Sequence, residues 1–287
     1  MQKIPILLDT DPGNDIDDAL AISYLLRKPE CELLGITTVT GPVEKRAAIA
    51  EVLCAAAGRE DIPIICGRSE VLAYGQGQPG CAQYDPIAEM PHRLNRKQDE
   101  AVDFLRQTIR SWPGEITLLS IGPFSNIALL FALDPEIPFL LKSLVSMAGV
   151  FRSPTIEAEW NCICDPVASA MVAHSKRPQH DWIGLDVTLQ CQMTKADCEA
   201  KFKGPLLELV LQMATKWFDH APNITFHDPL AAALIFDPTL CEFERGTVTV
   251  NPLKGQTTLE LGPGNDRVAT GVDSIRFFEE FFRTIEG

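Results

Sequence analysis

Five aspartates crowd into ten residues near the start of the chain, directly after an apolar run. They lie within ILLDTDPGNDIDDALAI and are Asp9, Asp11, Asp15, Asp17 and Asp18. Carboxylates at a helix N-terminus bind free N–H groups and meet the positive end of the helix dipole, so capping accounts for one or two of them. The others repel one another unless a cation joins them, and their hard oxygens suit Ca²⁺ or Mg²⁺. We therefore predict a divalent metal site, with helix capping as the alternative.

Short apolar runs alternate with helical patterns along the first two-thirds of the chain. The runs are almost continuously apolar, which is typical of parallel strands covered on both faces. The predicted strands are 4–9, 31–40, 62–66, 115–122, 143–149 and 182–188, and the predicted helices are 17–27, 44–58, 99–111, 125–133 and 165–175. This alternation predicts an α/β fold with an open, doubly wound, mostly parallel sheet. Ligands bind beyond the carboxyl ends of strands in such sheets, and Asp11 follows a strand at that end.

After about residue 190 the pattern changes to helical and small β additions. We predict helices at 204–218 and 228–236, a hairpin of 246–251 with 256–261, a strand at 267–273 and a closing helix at 274–285. Because the chain has no internal repeat and an ordinary length for one domain, we predict a single domain over residues 1–287. The Gly-, Pro- and Gln-rich stretch 69–97 is long for a structureless connection, which favours a lid or binding loop.

The composition is acidic, with 39 Asp plus Glu against 25 Lys plus Arg. This balance argues against a nucleic-acid or anionic-membrane partner, since either would need a basic face. The longest apolar runs fall far below the roughly 20 residues of a membrane-spanning helix, and the N-terminus turns acidic too early for a signal peptide. The nine cysteines include no CxxC pair and do not indicate a disulfide framework. We expect a cytoplasmic protein.

The motif DTDPGNDIDDALAI resembles the N-terminal signature of the nucleoside N-ribohydrolases, the inosine–uridine-preferring hydrolase family. Further segments match family motifs in the same order: GITTVTG (35–41), IGPFSNIALL (121–130), AEWNCICDP (158–166) and FHDPLAAA (226–233). The resemblance implies a nucleoside hydrolase-like domain that cleaves the N-glycosidic bond of a small ribonucleoside substrate, giving ribose and free base. It also implies Ca²⁺ as cofactor, a role in purine or pyrimidine salvage, and a homodimer or homotetramer.

The resemblance further implies catalytic and metal-binding roles at matching positions. Asp11 matches the aspartate that binds Ca²⁺ and takes the proton from the metal-bound water. Asp18 and Asp228 match two further metal ligands, and Ser125 stands where a family threonine binds the ion through its backbone carbonyl. His227, in the HDP pattern, is the candidate that supplies a proton or charge to the leaving base, and it favours the inosine–uridine or pyrimidine type.

Substrate-binding positions follow from the same motifs. Asp17 matches a carboxylate that hydrogen-bonds a ribose hydroxyl, and Glu159 with Asn161 matches the pair that binds the ribose hydroxyls, including the 5′-hydroxyl. Trp160 and Phe226 flank these residues, and base contact and ordinary packing are equally good interpretations of both.

Two features depart from the family pattern. The common spacing is DPGxDD, whereas here two more residues separate Asp11 from the Asp17–Asp18 pair, so Asp15 could substitute for one of these partners. The family often has an asparagine ribose contact after the glycine of the second-strand motif. Here Pro42 stands at that place and has no side-chain donor, so either ribose binds less tightly or another residue makes the contact.

Two other functions fit parts of the sequence. The DTD at 9–11 superficially matches a haloacid-dehalogenase-like phosphatase, but that family also needs a lysine and a later acidic pair, where this chain has AEWN and HDP. The second alternative is a Ca²⁺-dependent nucleoside- or ribose-binding protein without turnover. Release of reducing sugar from uridine or inosine distinguishes an enzyme from this binding protein.

Overall fold

The computed structural model describes residues 3–176 and 179–286. The strands in this part of the chain are β1 (Ile4–Thr10), β2 (Cys31–Thr38), β3 (Ile64–Cys66), β4 (Thr117–Ser120), β5 (Ser143–Met147), β6 (His180–Ile183), β7 (Gln192–Thr194), β8 (Asn223–Thr225), β9 (Cys241–Val250), β10 (Thr257–Leu261) and β11 (Asp266–Val272). The helices are α1 (Asp17–Arg27), α2 (Val43–Ala56), α3 (Ala101–Ser111), α4 (Ser125–Leu133), α5 (Ile137–Leu140), α6 (Trp160–Cys164), α7 (Pro166–His174), α8 (Leu185–Thr188), α9 (Lys195–Lys201), α10 (Gly204–Phe218), α11 (His227–Leu234) and α12 (Ser274–Glu286).

Nine of these strands form one sheet in the order β10-β9-β11-β6-β5-β4-β1-β2-β3. The seven strands from β11 to β3 are parallel, and β9 and β10 continue the sheet antiparallel at one edge. Strands β7 and β8 pair separately. The predicted α/β fold with a large, mostly parallel sheet is confirmed, and the C-terminal strands join that same sheet through β11.

The apolar strand β1 is buried on both of its faces. Ile6 and Leu8 belong to one hydrophobic core with residues of α1, α2, α10, α11 and α12, whereas Leu7 belongs to a second core with residues of α3, α4 and α7. Successive side chains of a strand point to opposite faces, so a continuous apolar run is what a strand between two helical layers requires. Because β1 is a central strand, Asp11 and the aspartates that follow it lie at the middle of the sheet edge.

The sheet order places a topological switch point between β1 and β4. The chain first builds outward from β1 to β3 and then returns to add β4 on the other side of β1. In open α/β sheets the crevice beyond the carboxyl ends of such a strand pair is where ligands bind. Asp11 directly follows β1 and Ile121 directly follows β4, so both residues lie at this crevice.

The predicted strand 182–188 is only partly correct. Strand β6 ends at Ile183, whose partner Met147 is the last residue of β5, so β5 offers no further residues for pairing on that side. The chain turns there instead, with the N–H of Leu185 donating to the carbonyl of Gly149 over 2.9 Å, and forms the one-turn helix α8.

The helices among residues 3–176 and 179–286 include none whose length and apolar character would let it span a membrane.

Candidate active site

A cavity lies at the switch point, and eight of the ten predicted site residues line it. Its walls come from segments far apart in the chain: the residues after β1, the start of α1, the start of α6 and the start of α11. The predicted residues that it brings together are Asp11, Asp17, Asp18, Glu159, Trp160, Asn161, His227 and Asp228. The sheet therefore assembles, in one place, motifs separated by more than 200 positions in the chain.

Three carboxylates form the tightest group in the cavity. Asp17, Asp18 and Asp228 each offer an oxygen, and these three atoms lie within 4.8 Å of one another. Asp17 and Asp18 begin α1, which packs against α11, and the backbone N–H of Asp228 donates to Asp17 Oδ2 over 3.3 Å. Oxygen atoms at this spacing fit a hard divalent cation.

Asp11 is held between the start of α1 and the end of β4. Its backbone N–H donates to Asp18 Oδ1 over 3.0 Å, and the Thr10 hydroxyl donates to the same oxygen. A Cβ atom on Gly122 would lie 2.8 Å from Asp11 Oδ1, so glycine at 122 permits the close approach of this carboxylate. The position of Asp11 relative to Asp18 is thus fixed by the backbone.

Burial makes the cluster electrostatically costly. It raises the pKa of Asp18 to about 6 and that of Asp15 to about 7. Burial, reinforced by the neighbouring carboxylates, holds three further pKa values well above the usual range, those of Asp11, Asp17 and Asp228. The buried guanidinium of Arg46 acts in the opposite direction on Asp11 and Asp18. A cation bound among the carboxylates would offset the same cost.

We expect the metal-free protein to lose stability as the pH rises from about 4 to about 7. The folded pKa values of Asp18 and Asp15, about 6 and about 7, exceed the ordinary aspartate value of 3.8, so the unfolded chain ionises these groups at lower pH. Protonated carboxyls therefore favour the folded state below this window, and the benefit is lost as the pH passes through it. Because a bound cation favours the ionised cluster, added Ca²⁺ should raise Tm more at about pH 7.5 than at about pH 5. Calorimetry with chelator and with excess Ca²⁺ measures both increments, and equal increments would contradict the expectation.

Glu159 and Asn161 connect the strand ends that form another wall. Glu159 caps α6, its Oε1 accepting from the Asn161 N–H at 2.6 Å and its Oε2 from the Gly149 N–H at 3.1 Å. Despite these bonds, burial raises the pKa of Glu159. Asn161 Nδ2 donates to the carbonyls of Ile121 (3.0 Å) and Met147 (3.1 Å), which end β4 and β5. The amide nitrogen of Asn161 is thereby committed to the protein.

His227 lines the cavity as a neutral imidazole. Burial lowers its pKa to about 4, and its Nδ1 lies 2.7 Å from Thr188 Oγ1. When the threonine hydroxyl donates to Nδ1, the single imidazole proton sits on Nε2. Thr188 belongs to α8, the turn that replaces the second half of the predicted strand 182–188.

Ser125 and Phe226 are not among the residues that line the cavity, and the contact predicted for the backbone carbonyl of Ser125 stays a prediction. The hydroxyl of Ser125 donates to Asp165 Oδ2 over 2.7 Å at the start of α4, one turn beyond the end of β4. The residue of that segment that lines the cavity is Ile121, directly after β4. Phe226 is fully buried, with its ring centroid 5.2 Å from that of Phe281 in α12. Of the two interpretations of Phe226, core packing matches this position.

Five lining residues were not among the predicted site residues: Asp15, Gln78, Ile121, Met147 and Leu185. Ile121 and Met147 end or follow β4 and β5, and Leu185 follows β6, so the rule that ligands bind beyond strand ends could have located them. Gln78 lies in the stretch 69–97, whose length and composition favoured a binding loop without indicating which residue faces a ligand.

Comparison with known proteins gives consistent results over nearly the whole chain. Residues 6–279 match the model of the inosine-uridine preferring nucleoside hydrolase family. Uridine nucleosidase 1 of Arabidopsis thaliana is 30% identical over 284 residues, which cover 90% of this chain and 82% of that protein. The inosine-uridine preferring nucleoside hydrolase of Leishmania major is 32% identical over 273 residues, covering 88% and 85%. Among solved structures, a purine-preferring ribonucleoside hydrolase from Gardnerella vaginalis matches with a TM-score of 0.84 at 29% identity, covering 99% and 98%.

Proposed function

Because the chain belongs to the inosine-uridine preferring nucleoside hydrolase family, we propose that it hydrolyses the N-glycosidic bond of ribonucleosides with a Ca²⁺ ion held in the switch-point cavity. Family membership makes the chain a nucleoside hydrolase, and the proposal adds the ion and the residues. It is supported above all by one observation. Asp11, Asp18 and Asp228, which come from three separate segments, line the same cavity.

The donor set fits a hard divalent cation. Asp17, Asp18 and Asp228 offer three closely spaced oxygens, and Asp11 lines the same cavity. Carboxylates with added sugar hydroxyls approach the 6–8 oxygen ligands typical of Ca²⁺, more than Mg²⁺ usually accepts from a protein site. When bound, such an ion supplies the positive charge that lowers the pKa of water. Following the resemblance to the family motifs, we assign Asp11, Asp18 and Asp228 as its side-chain ligands and Asp17, which lies in the same close group, as a ribose contact.

Asp11 is the proposed general base. Its position is fixed by the hydrogen bond from its backbone N–H to Asp18 and by its contact with Gly122. Burial raises its pKa, which makes the carboxylate a stronger base than an exposed aspartate, while Arg46 favours the ionised form that accepts a proton. Asp11 thus removes the proton of the attacking water.

Asp17, Glu159 and Asn161 are the proposed ribose-binding residues. Their carboxylate and amide oxygens are acceptors, which suits hydroxyl donors on the sugar. Glu159 and Asn161 are in turn held by the backbone at the ends of β4 and β5, so they present these oxygens in a fixed arrangement. Fixed hydroxyl contacts lower the entropic part of the barrier, and a substrate that lacks the 2′-hydroxyl loses part of this binding.

His227→Ala should slow the hydrolysis of uridine or inosine far more than that of p-nitrophenyl riboside. The neutral imidazole can donate a hydrogen bond from Nε2 that stabilises the negative charge developing on a departing base, a contribution of about 10²-fold, whereas nitrophenolate carries its charge without this help. Thr188→Val is the matched control, because it removes the hydroxyl that keeps the imidazole proton of His227 on Nε2. It should give a smaller loss than His227→Ala, and again a larger loss with uridine or inosine than with p-nitrophenyl riboside. Steady-state kinetics with both substrates decides, since equal losses would remove His227 from this role.

A nucleoside panel tests the proposed function directly. The protein is mixed with uridine, inosine, adenosine and deoxyuridine, with Ca²⁺ or with chelator, and free reducing sugar is assayed. The panel includes purine and pyrimidine nucleosides because the names of the relatives span uridine, inosine–uridine and purine preference. We expect Ca²⁺-dependent release of reducing sugar from the ribonucleosides and little from deoxyuridine. Nucleoside binding without release would instead favour the binding protein that lacks turnover.

A further inference from the structure

Arg46, in α2, is a fully buried arginine whose guanidinium bonds backbone carbonyls. Within the described residues it forms no ion pair with a carboxylate. Its five N–H donors meet five carbonyl oxygens, with Nε on Thr40 (2.7 Å), Nη1 on Asp11 and on Pro12 (3.0 Å), and Nη2 on Gln78 (2.7 Å) and on Gly80 (3.3 Å). The side chain thereby joins the turn after β1, the turn after β2 and the segment 78–80.

Hydrogen bonds from several neighbouring segments hold the backbone around Gln78 in place. The N–H of Gln78 donates to Thr40 Oγ1 over 3.2 Å, and the N–H of Gly77 donates to the Cys164 carbonyl over 3.1 Å. Gly41, at φ +61°, permits this approach, because a Cβ atom there would lie 2.1 Å from the Gln78 carbonyl oxygen. Gln78 is consequently half-buried and lines the cavity, although it belongs to an irregular stretch.

The carboxamide of Gln78 adds a hydrogen-bond donor, beside the imidazole of His227 and the indole of Trp160, to a cavity whose polar side chains are mainly carboxylates. Ionised carboxylates only accept hydrogen bonds, and the amide nitrogen of Asn161 is committed to two strand-end carbonyls. A nucleobase carries carbonyl and ring-nitrogen acceptors, so it needs donors. The side chain of Gln78 has no hydrogen-bond partner within residues 3–176 and 179–286, which leaves its Nε2 able to donate into the cavity.

We propose that Gln78 binds the nucleobase through its carboxamide and that Arg46 is the positioning residue that holds Gln78 over the cavity. Since the contact belongs to the site of nucleoside hydrolysis, it rests on the proposed function. Arg46 acts through the backbone: its guanidinium holds the carbonyl of Gln78 in the same network as the carbonyl of Asp11. The side chain of Arg46 thereby sets the distance between Gln78, which contacts the base, and Asp11, the proposed general base.

Gln78→Ala, Arg46→Lys and the double variant, each assayed with uridine and p-nitrophenyl riboside, test both parts. Gln78→Ala should lower kcat/KM for uridine about 10-fold, the effect of losing one or two hydrogen bonds, and change that for p-nitrophenyl riboside by less than about 2-fold. Arg46→Lys should lower the ratio of the uridine value to the p-nitrophenyl riboside value in the same direction, because an ammonium has three donors in place of five. Both values should also fall, since the guanidinium bonds the carbonyl of Asp11 as well. The ratio in the double variant should be no lower than that of the stronger single variant, since both changes weaken the same base contact.

Arg96→Lys is the matched control. Like Arg46, Arg96 is a largely buried arginine. It lies in the stretch 69–97 and donates to the carbonyl of Ile64 and to Glu51, neither of which lines the cavity. Its substitution should leave the ratio of the two kcat/KM values unchanged. If Arg46→Lys does not fold, Gly41→Ala displaces the Gln78 carbonyl without altering the guanidinium and should reproduce the Gln78→Ala pattern.

Other outcomes would overturn the proposal. Equal losses with both substrates in Gln78→Ala would place its contact on the sugar and refute base binding. An unchanged substrate ratio in Arg46→Lys, or in Gly41→Ala where the lysine variant does not fold, would refute the positioning role, as would full additivity in the double variant. Ribose release by the wild type establishes the proposed function independently of these ratios, whereas no release from any ribonucleoside would refute that function and this inference with it.

Discussion

Asp11→Asn should lower kcat for uridine on the order of 10³-fold or more in a protein that still folds. Asparagine has the same shape, and the bond from the residue 11 backbone N–H to Asp18 does not involve the changed side chain. The substitution removes both the carboxylate that accepts the proton of water and one negative charge from the ion site. General-base catalysis alone contributes about 10²–10⁴-fold, so the combined loss should leave turnover near background.

Asp15→Asn provides a matched comparison for this variant. Asp15 lines the same cavity, and its Oδ1 accepts from the N–H of Ile16 over 2.7 Å. Because it lies outside the assigned ligand and base set, its replacement should cost far less turnover than that of Asp11. Single-turnover assays for free ribose, with circular dichroism to verify folding, measure both variants. Near-normal turnover in Asp11→Asn would rule out its assignment as base, and a larger loss at Asp15 would transfer the role to that residue.

Removal of the divalent ion should abolish turnover to a similar extent, on the order of 10³-fold or more. The carboxylates of the cavity are buried together, and without a cation burial and mutual repulsion raise their pKa values and disfavour the ionised form. A chelator therefore removes the positive charge that the reaction needs and also disfavours the ionised state of the proposed base. Titration of Ca²⁺ into the stripped protein should restore ribose release, and Mg²⁺ should restore less of it.

Asp228→Asn separates ion binding from the other effects of chelation. The variant loses one charge of the closely spaced group while the backbone bond from residue 228 to Asp17 is unaffected. The Ca²⁺ concentration needed for half-maximal activity should rise by at least about 10-fold, the weakening expected when a charged ligand becomes neutral. Asp219→Asn, an exposed aspartate after α10, should behave as wild type. Full activity of stripped protein in chelator would exclude a metal requirement.

The fold follows from local patterns, and so does most of the cavity. Continuous apolar runs such as that of β1 occur where a strand is covered on both faces, and the order of strands and helices leaves few topologies. Once β1 is central, Asp11 must lie at a carboxyl end. The predicted strand 182–188 was too long because β5 stops at Met147 and the chain after Ile183 turns, with the N–H of Leu185 bonded to the carbonyl of Gly149, a contact that residues 184–188 do not reveal by themselves.

Adjacency in the chain was a weaker guide to the site. Phe226 directly precedes His227, but successive residues at a helix start point in different directions, and Phe226 packs among the aromatic rings of α12. Trp160 also flanks site residues, and it lines the cavity with 46% of its surface exposed. Gln78 could not be identified from the sequence, because its position depends on the buried donors of Arg46 on a helix 32 residues earlier in the chain.

Most walls of the cavity lie beyond the carboxyl ends of the parallel strands, so the opposite edge of the sheet faces away from the cavity. Exposed residues such as Glu115, before β4, and Lys142, before β5, lie at that rear edge. A linker attached there would immobilise the protein on a bead or electrode with the mouth of the cavity turned towards the solution. The parallel sheet thus gives the molecule a built-in front and back for oriented coupling.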